Sequence, residues 1–263
     1  MMFAIPESPR WLITAKNNIE AAKQVFRSLY DNEGDIVEQV NLIVNSQKST
    51  DDAESIFSKK YGIPLSLAFF IAFFNQFSGI NAILYYANRI FAEAGLAEQA
   101  GALGSIGLGI TNFVFTLLGM FLIDRLGRKQ LLYIGSVGYI VSLSIVSLCF
   151  YNDWSGMIVP ISLFAFIASH AIGQGAVIWV FISEIFPNHL RSSGQAFGSS
   201  VHWVLAAIIP SLVPILFNSI GAVTVFAIFA FMMLLQLVWI KMYVPETKGK
   251  SLEAVSESLT NSN

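Results

Sequence analysis

The sequence predicts an all-α, polytopic membrane protein with six transmembrane helices, preceded by short helices on the cytoplasmic side. Hydrophobic residues make up 55% of the 263, charged residues only 12%, and the mean hydropathy is +0.63. The apolar residues gather into six long, almost uncharged runs, roughly 63–87, 102–123, 131–150, 156–183, 195–218 and 219–240, and about 20 apolar residues span a bilayer. The cations fall at alternate ends of these runs. Lys and Arg at 10, 16, 23, 27, 48, 59 and 60 precede the first, 125, 128 and 129 follow the second, 191 follows the fourth, and 241, 248 and 250 follow the sixth. Of the 15, only Arg89 lies on the opposite side. The positive-inside rule therefore predicts that both termini are cytoplasmic, in a plasma (inner) membrane.

Composition also excludes classes of function. A single cysteine, Cys149, supports neither a disulfide framework nor a zinc cluster. His170, His189 and His202 are scattered, with no HExxH and no nucleophile elbow, so an enzyme is not expected, nor a cofactor or metal. The net charge of -2 selects no partner, and nucleic acid is not expected to be one. The opening Met1-Met2-Phe3-Ala4-Ile5 is too short, and lacks the basic flank, to be a signal peptide.

Along the chain, Pro6-Glu7-Ser8-Pro9-Arg10-Trp11 cannot lie in a helix interior. A similar signal, Val244-Pro245-Glu246-Thr247-Lys248, follows the last apolar run. The recurrence suggests that residues 1–5 are the tail of an earlier helix. Residues 13–60 read as a linker of amphipathic helices, with Ala22, Val25, Phe26 and Leu29 on one face and Val37, Val40, Ile43 and Val44 on another. The division expected is thus 1–60 linker, 61–243 membrane bundle and 244–263 cytoplasmic tail.

The first membrane run contains Asn75-Gln76-Phe77-Ser78-Gly79-Ile80-Asn81, with Tyr85-Tyr86 beyond. Burying an unpaired amide costs about 1–3 kcal/mol, so these groups should face a wet cavity or a hydroxyl-rich ligand. Gln76 and Asn81 are five residues apart, about 140° round a regular helix. They share a face only if Gly79 unwinds it. The second run carries one Asn112, a contact between helices or to a ligand, and ends in Asp124-Arg125-Leu126-Gly127-Arg128-Lys129. The third, Gln130 to Phe150, reads as packing. The fourth holds Gly173-Gln174-Gly175 before Trp179, read as a second break, then Glu184 and Arg191 across Pro187. The fifth carries His202-Trp203 and is expected to kink at Pro210 and Pro214. The sixth has only Gln236 as a polar departure.

In order, these segments resemble the sugar porter family of the major facilitator superfamily over essentially the whole chain. Pro6-Glu7-Ser8-Pro9-Arg10 resembles the signature after its sixth helix. Gln76-Phe77-Ser78-Gly79-Ile80-Asn81 with Tyr85-Tyr86 is similar to its seventh-helix sugar motif. Asp124 to Lys129 resembles the loop between helices eight and nine, Glu184 to Arg191 the segment after helix ten, and Pro245-Glu246-Thr247-Lys248-Gly249 the signature after helix twelve.

The resemblance implies the C-terminal half-bundle of a major facilitator fold and transport of a monosaccharide, hexose or pentose, facilitative or coupled to protons. Asn75, Gln76, Asn81 and Asn112 would meet sugar hydroxyls, Trp179 would pack on the sugar ring, and His202 with Trp203 would complete the site. Tyr85, Tyr86, Gly173 and Gly175 would gate it. Glu7, Arg10, Asp124, Arg125, Arg128, Glu184, Arg191 and Glu246 would form a cytoplasmic charge network. The pathway of the fold lies between two six-helix halves, so the expected partners are the lipid bilayer and an N-terminal half. A half acting alone would be inactive in transport, and a membrane sugar sensor is the alternative. Three positions depart from the family pattern: Asn75-Gln76 replaces two glutamines, residues 174, 176 and 178 are Gln, Ala and Ile where prolines are usual, and His202 stands where Asn or Gln often precedes the tryptophan.

Overall fold

A computed structural model describes residues 6–30, 32–48, 55–250 and 252–260; the stub 1–5, expected to end an earlier helix, lies outside them. The chain packs as two units, Met1–Ser55 and Ile56–Asn263. The described residues form helices and connecting turns only.

The first unit holds α1 (Pro9–Thr14), α2 (Ile19–Phe26) and α3 (Glu33–Lys48). Pro9 takes the first helical position, where its missing N–H costs nothing. Asn18 caps α2 by accepting from the Ala21 amide at 3.0 Å. Ile13, Ala22, Phe26, Ile36, Val40 and Ile43 make a small core. Of the other expected members, Val25 and Val44 are half-buried and two are exposed. Leu29 is exposed because α2 stops at Phe26, and Val37 is exposed because the inward stripe runs through Ile36, Val40 and Ile43.

The second unit is the helical bundle. A 3-10 turn (Lys59–Tyr61) leads into α4 (Gly62–Phe77), and α5 (Ile80–Glu93) follows the break at Gly79. A short α6 (Ala100–Ala102) passes through a π-helical turn (Leu103–Gly107) into α7 (Leu108–Leu126). α8 (Arg128–Tyr151) and α9 (Ile158–His170) come next; a second π-helical turn (Ala171–Gly175) joins α9 to α10 (Ala176–Ile185). α11 (Arg191–Tyr243) closes the bundle before the tail helix α12 (Leu252–Thr260).

Five continuous helical stretches are long and apolar enough to cross a membrane. The last, of 53 residues, is two helices joined at Gly221, whose φ of 79° and ψ of 159° are not helical. Its halves match the fifth and sixth expected spans. Pro210 and Pro214, where the fifth span is expected to kink, lie within helical backbone, and the non-helical Gly221 marks the junction between the fifth and sixth spans.

Tight helix contacts, rather than hydrophobic burial, hold such a bundle in lipid, because acyl chains are as apolar as leucine. Gly173 and Gly135 allow one such contact, since a Cβ on Gly173 would lie 2.9 Å from the Gly135 Cα. That contact accounts for one glycine of the expected second break. The helix is not broken there: it widens into the π-helical turn and continues. Across α8 and α11, the fully buried Gln236 donates to Ser136 Oγ at 3.0 Å. Tyr139 on α8 meets His170 Nδ1 at 2.7 Å. The third span therefore packs, and it also carries polar contacts that its sequence did not announce.

Candidate functional site

The break in the first span builds the site. Gly79 sits at φ 83°, ψ 11°, the left-handed region, where a side chain costs about 1–2 kcal/mol. A Cβ there would also fall 2.5 Å from Phe229 Cδ2. Ser78 bridges the break, donating to the Asn75 carbonyl at 2.6 Å and accepting from the Ile80 amide at 3.3 Å. One carbonyl and one amide at the break are thereby paired through a side chain.

The reversal brings Asn81 back toward Gln76, and Asn81 Nδ2 donates to Gln76 Oε1 at 2.8 Å. Gln76 Nε2 donates to Asn75 Oδ1 at 3.0 Å and lies 3.2 Å from each ring nitrogen of His202 on α11. Asn75 Nδ2 donates to Gln174 Oε1 at 3.2 Å, within the π-helical turn. Four carboxamides thus form one continuous chain between α4, α5 and the α9–α10 junction, with His202 beside it. Asn75 and Gln76 are 2% and 1% exposed, so they stand behind the half-buried Asn81. Gln174, which the sequence reading passed over as the residue between two glycines, is a full member of the chain.

Aromatic rings edge the polar chain. Trp179 stands edge-on to His202 at 5.0 Å, and His202 edge-on to Trp203 at 5.2 Å. Gln195 Nε2 holds the Trp179 carbonyl at 2.8 Å. Tyr85 and Tyr86 line an open groove of about 440 Å³ with Trp203, Ala206, Ala207, Pro210 and Ser211. Tyr85, at 67%, and Trp203, at 64%, are open to the surroundings. Amide and imidazole edges beside exposed indole and phenol faces can hydrogen-bond hydroxyls while covering an apolar ring face. Asn112 is exposed on α7, and among the described residues no hydrogen bond joins it to this cluster.

The expected charge network gathers at the other end of the same helices. Arg128 makes a two-pronged contact with Glu184, Nε to Oε2 at 3.1 Å and Nη2 to Oε1 at 2.7 Å, and Thr247 Oγ1 donates to the same Oε2 at 2.7 Å. Glu246 accepts the first two amides of α8, Arg128 at 3.0 Å and Lys129 at 3.1 Å, together with those of Thr247 and Lys248 at 3.0 Å each. A carboxylate at a helix N-terminus meets unpaired N–H groups and the positive end of the dipole. Gly127, at φ 94°, makes room for it; a Cβ there would lie 2.7 Å from Glu246 Oε2.

The other members stand further out. Asp124 reaches Arg128 only at 3.6 Å and is largely exposed. Arg191 donates to the Ser183 carbonyl at 2.8 Å. Arg125 contributes its carbonyl, to the Lys248 ammonium, while its guanidinium is exposed. Glu7 and Arg10 belong to the first unit, where both are exposed. Thr247 was not predicted as a member; its place beside Glu246 in the tail signature was the available hint.

Comparison with known proteins accords with this geometry. The family described as "Sugar (and other) transporter" matches residues 1–259. The chain is 34% identical over 262 residues to the glucose transporter GlcP of Staphylococcus epidermidis, an alignment covering 98% of this chain and 58% of that protein. It is 33% identical over 260 residues to the arabinose-proton symporter of Bacillus subtilis, covering 98% and 56%. The structure of the proton:xylose symporter XylE bound to 6-bromo-6-deoxy-D-glucose superposes with a TM-score of 0.83 at 28% identity, over 98% of this chain and 55% of that one. The chain therefore spans a little over half the length of these relatives. Its relatives are transporters rather than enzymes, and the chain belongs to the sugar porter family of the major facilitator superfamily.

Proposed function

We propose that this chain forms the C-terminal half of a monosaccharide carrier, for a hexose or pentose, working by alternating access with an N-terminal six-helix half. The transport is facilitative or coupled to protons. The observation that supports it best is the carboxamide chain through Asn75, Gln76 and Asn81, built around the Gly79 break and bordered by Trp179 and Trp203. Polar groups at membrane depth are costly unless they line a cavity or a path. The relatives named for glucose, arabinose and xylose transport support the same reading.

In this reading Asn81 and the two tryptophans hold the sugar, with Gln76, Asn75 and His202 behind them and Asn112 approaching from α7. Tyr85 and Tyr86 close the site from outside, while Gly173 and Gly175 let the α9–α10 junction flex. The Arg128–Glu184 pair, tied to Glu246, biases the carrier toward the state closed on the cytoplasmic side. Residues 1–60 serve as a cytoplasmic linker and 244–263 as a cytoplasmic tail. A single bundle has no second bundle to rock against, so transport requires the other half.

The test is saturable sugar uptake by vesicles containing this purified chain, with and without a separately expressed N-terminal half. Uptake only with both is expected. Saturable uptake by the chain alone would remove the need for a partner, and saturable binding without uptake in either case would favour a sugar sensor.

A further inference from the structure

Tyr139 on α8 is wholly buried, and among the described residues its hydroxyl bonds to His170 Nδ1 alone, at 2.7 Å. A phenol can donate and accept, whereas each nitrogen of a neutral imidazole does one or the other. If Nδ1 carried the proton, the Tyr139 O–H would be buried without an acceptor, at a cost of about 1–3 kcal/mol. Tyr139 therefore donates, and neutral His170 carries its proton on Nε2. The ring is half-buried, and among the described residues no hydrogen bond reaches Nε2. That edge lies beside Gly175, where a Cβ would stand 3.3 Å from Cδ2 and 3.5 Å from Nε2. Gly175 is four residues before Trp179, hence on the same helical face, and Trp179 stands against His202. His170 is also close enough to His202 for the two rings to interact electrostatically. An open N–H at membrane depth is costly unless it meets water or a polar ligand.

We propose that His170 is a further sugar-binding residue, giving its Nε2–H to a hydroxyl oxygen of the monosaccharide, and that Tyr139 is the positioning residue that fixes this tautomer. This rests on the sugar-binding reading above. Gln76, Asn81 and His202 reach the site from α4, α5 and α11; His170 adds a donor from α9, beside Trp179. A phenylalanine there would fill the same space, but it would leave the Tyr139 hydroxyl unpaired and offer the sugar no donor. An imidazole locked in one tautomer presents a donor only, so affinity should depend on one particular hydroxyl.

The experiment uses the full chain, labelled with nitrogen-15 at histidine, in lipid nanodiscs. The His170 resonances are those that survive in both His189→Asn and His202→Asn. Binding of D-glucose and its monodeoxy analogues is followed by tryptophan fluorescence. The unaltered chain should show Nδ1 of His170 bare and Nε2 protonated, and glucose should move the Nε2 signal. One deoxyglucose should bind at least fivefold more weakly than glucose and leave Nε2 unmoved. His170→Phe should weaken glucose at least fivefold, yet bind that one analogue as the unaltered chain does, because protein and ligand then lack the same contact. Tyr139→Phe should mix the two tautomers and weaken glucose at least threefold.

A packing role for His170 would weaken glucose and every deoxy analogue by the same factor in His170→Phe. That result would overturn the proposal, as would a proton on Nδ1 in the unaltered chain. If either phenylalanine variant fails to fold, the analogue series on the unaltered chain decides. If glucose binds saturably and Nε2 does not respond, the sugar reading stands and the donor role falls. If no sugar of the series binds saturably, the sugar reading falls and takes the donor role with it.

Discussion

Gln76 is the residue on which the candidate site turns, because it meets Asn75, Asn81 and His202 at once. Gln76→Ala removes three contacts and leaves Asn81 without its acceptor. In a carrier assembled from both halves, it should raise the apparent sugar dissociation constant at least tenfold, about 1.4 kcal/mol. Calorimetric titration checks this, and unchanged affinity in folded protein would sink the assignment. Gly79 bears a different constraint, since both its positive φ and the Phe229 ring oppose a side chain. Gly79→Ala should therefore destabilise the bundle. In a Phe229→Ala background, which removes the clash at its own packing cost, Gly79→Ala should still destabilise by about 1–2 kcal/mol from the left-handed backbone. Equal melting temperatures for Phe229→Ala and the double variant would show that the backbone conformation carries no cost.

Among the elements, α8 depends on a residue more than a hundred positions away. Glu246 caps its first turn, and hydrogen bonds to a charged group contribute about 1.5–3 kcal/mol each. Glu246→Gln keeps the shape but loses the charge, so the amides of Arg128 and Lys129 should exchange hydrogen faster while amides in the middle of α8 hold. Uniform exchange along α8 would deny the cap its role. Glu184→Gln should act differently, because the Arg128–Glu184 pair is mostly enclosed and joins α8 to α10. Breaking one partner of such a pair leaves a poorly solvated charge. In the assembled carrier, the expected result is a shift in the labelling of engineered cysteines toward the inward-open form. Unaltered labelling would remove the gating role.

At the level of the whole molecule, the positive-inside rule turns the charge asymmetry into a testable orientation. Arg89, the exception, pairs with Glu93 at 2.7 Å and Asn218 at 3.1 Å, joining the end of α5 to α11 just before Gly221. In a Cys149→Ala background, cysteines replacing Lys16 and Lys250 should react with an impermeant maleimide only from the cytoplasmic side, and one replacing Gln99 only from outside. Labelling of Lys16→Cys and Lys250→Cys from opposite sides would contradict the orientation. On α7, Ile110, Phe113, Val114, Leu117, Met120 and Phe121 are exposed, a surface that acyl chains can cover without cost.

The sequence alone determined the number of spans, their charge bias and the residue types of the site, because hydropathy and the cost of a polar group in lipid act on each segment locally. It determined as well that Gly79 must break the helix if Gln76 and Asn81 are to meet, since helical spacing leaves them about 140° apart. What it could not decide was which groups pair across the bundle. Gln174 looked like part of a break and proved to be the end of a hydrogen-bonded chain; Gly173 looked like the same break and proved to be a close contact with Gly135. The fifth and sixth spans meet at Gly221 without leaving one continuous helical stretch, and Glu246 finds the first turn of α8. Those outcomes depend on residues tens to more than a hundred positions apart being brought within a few ångströms, and only tertiary packing does that.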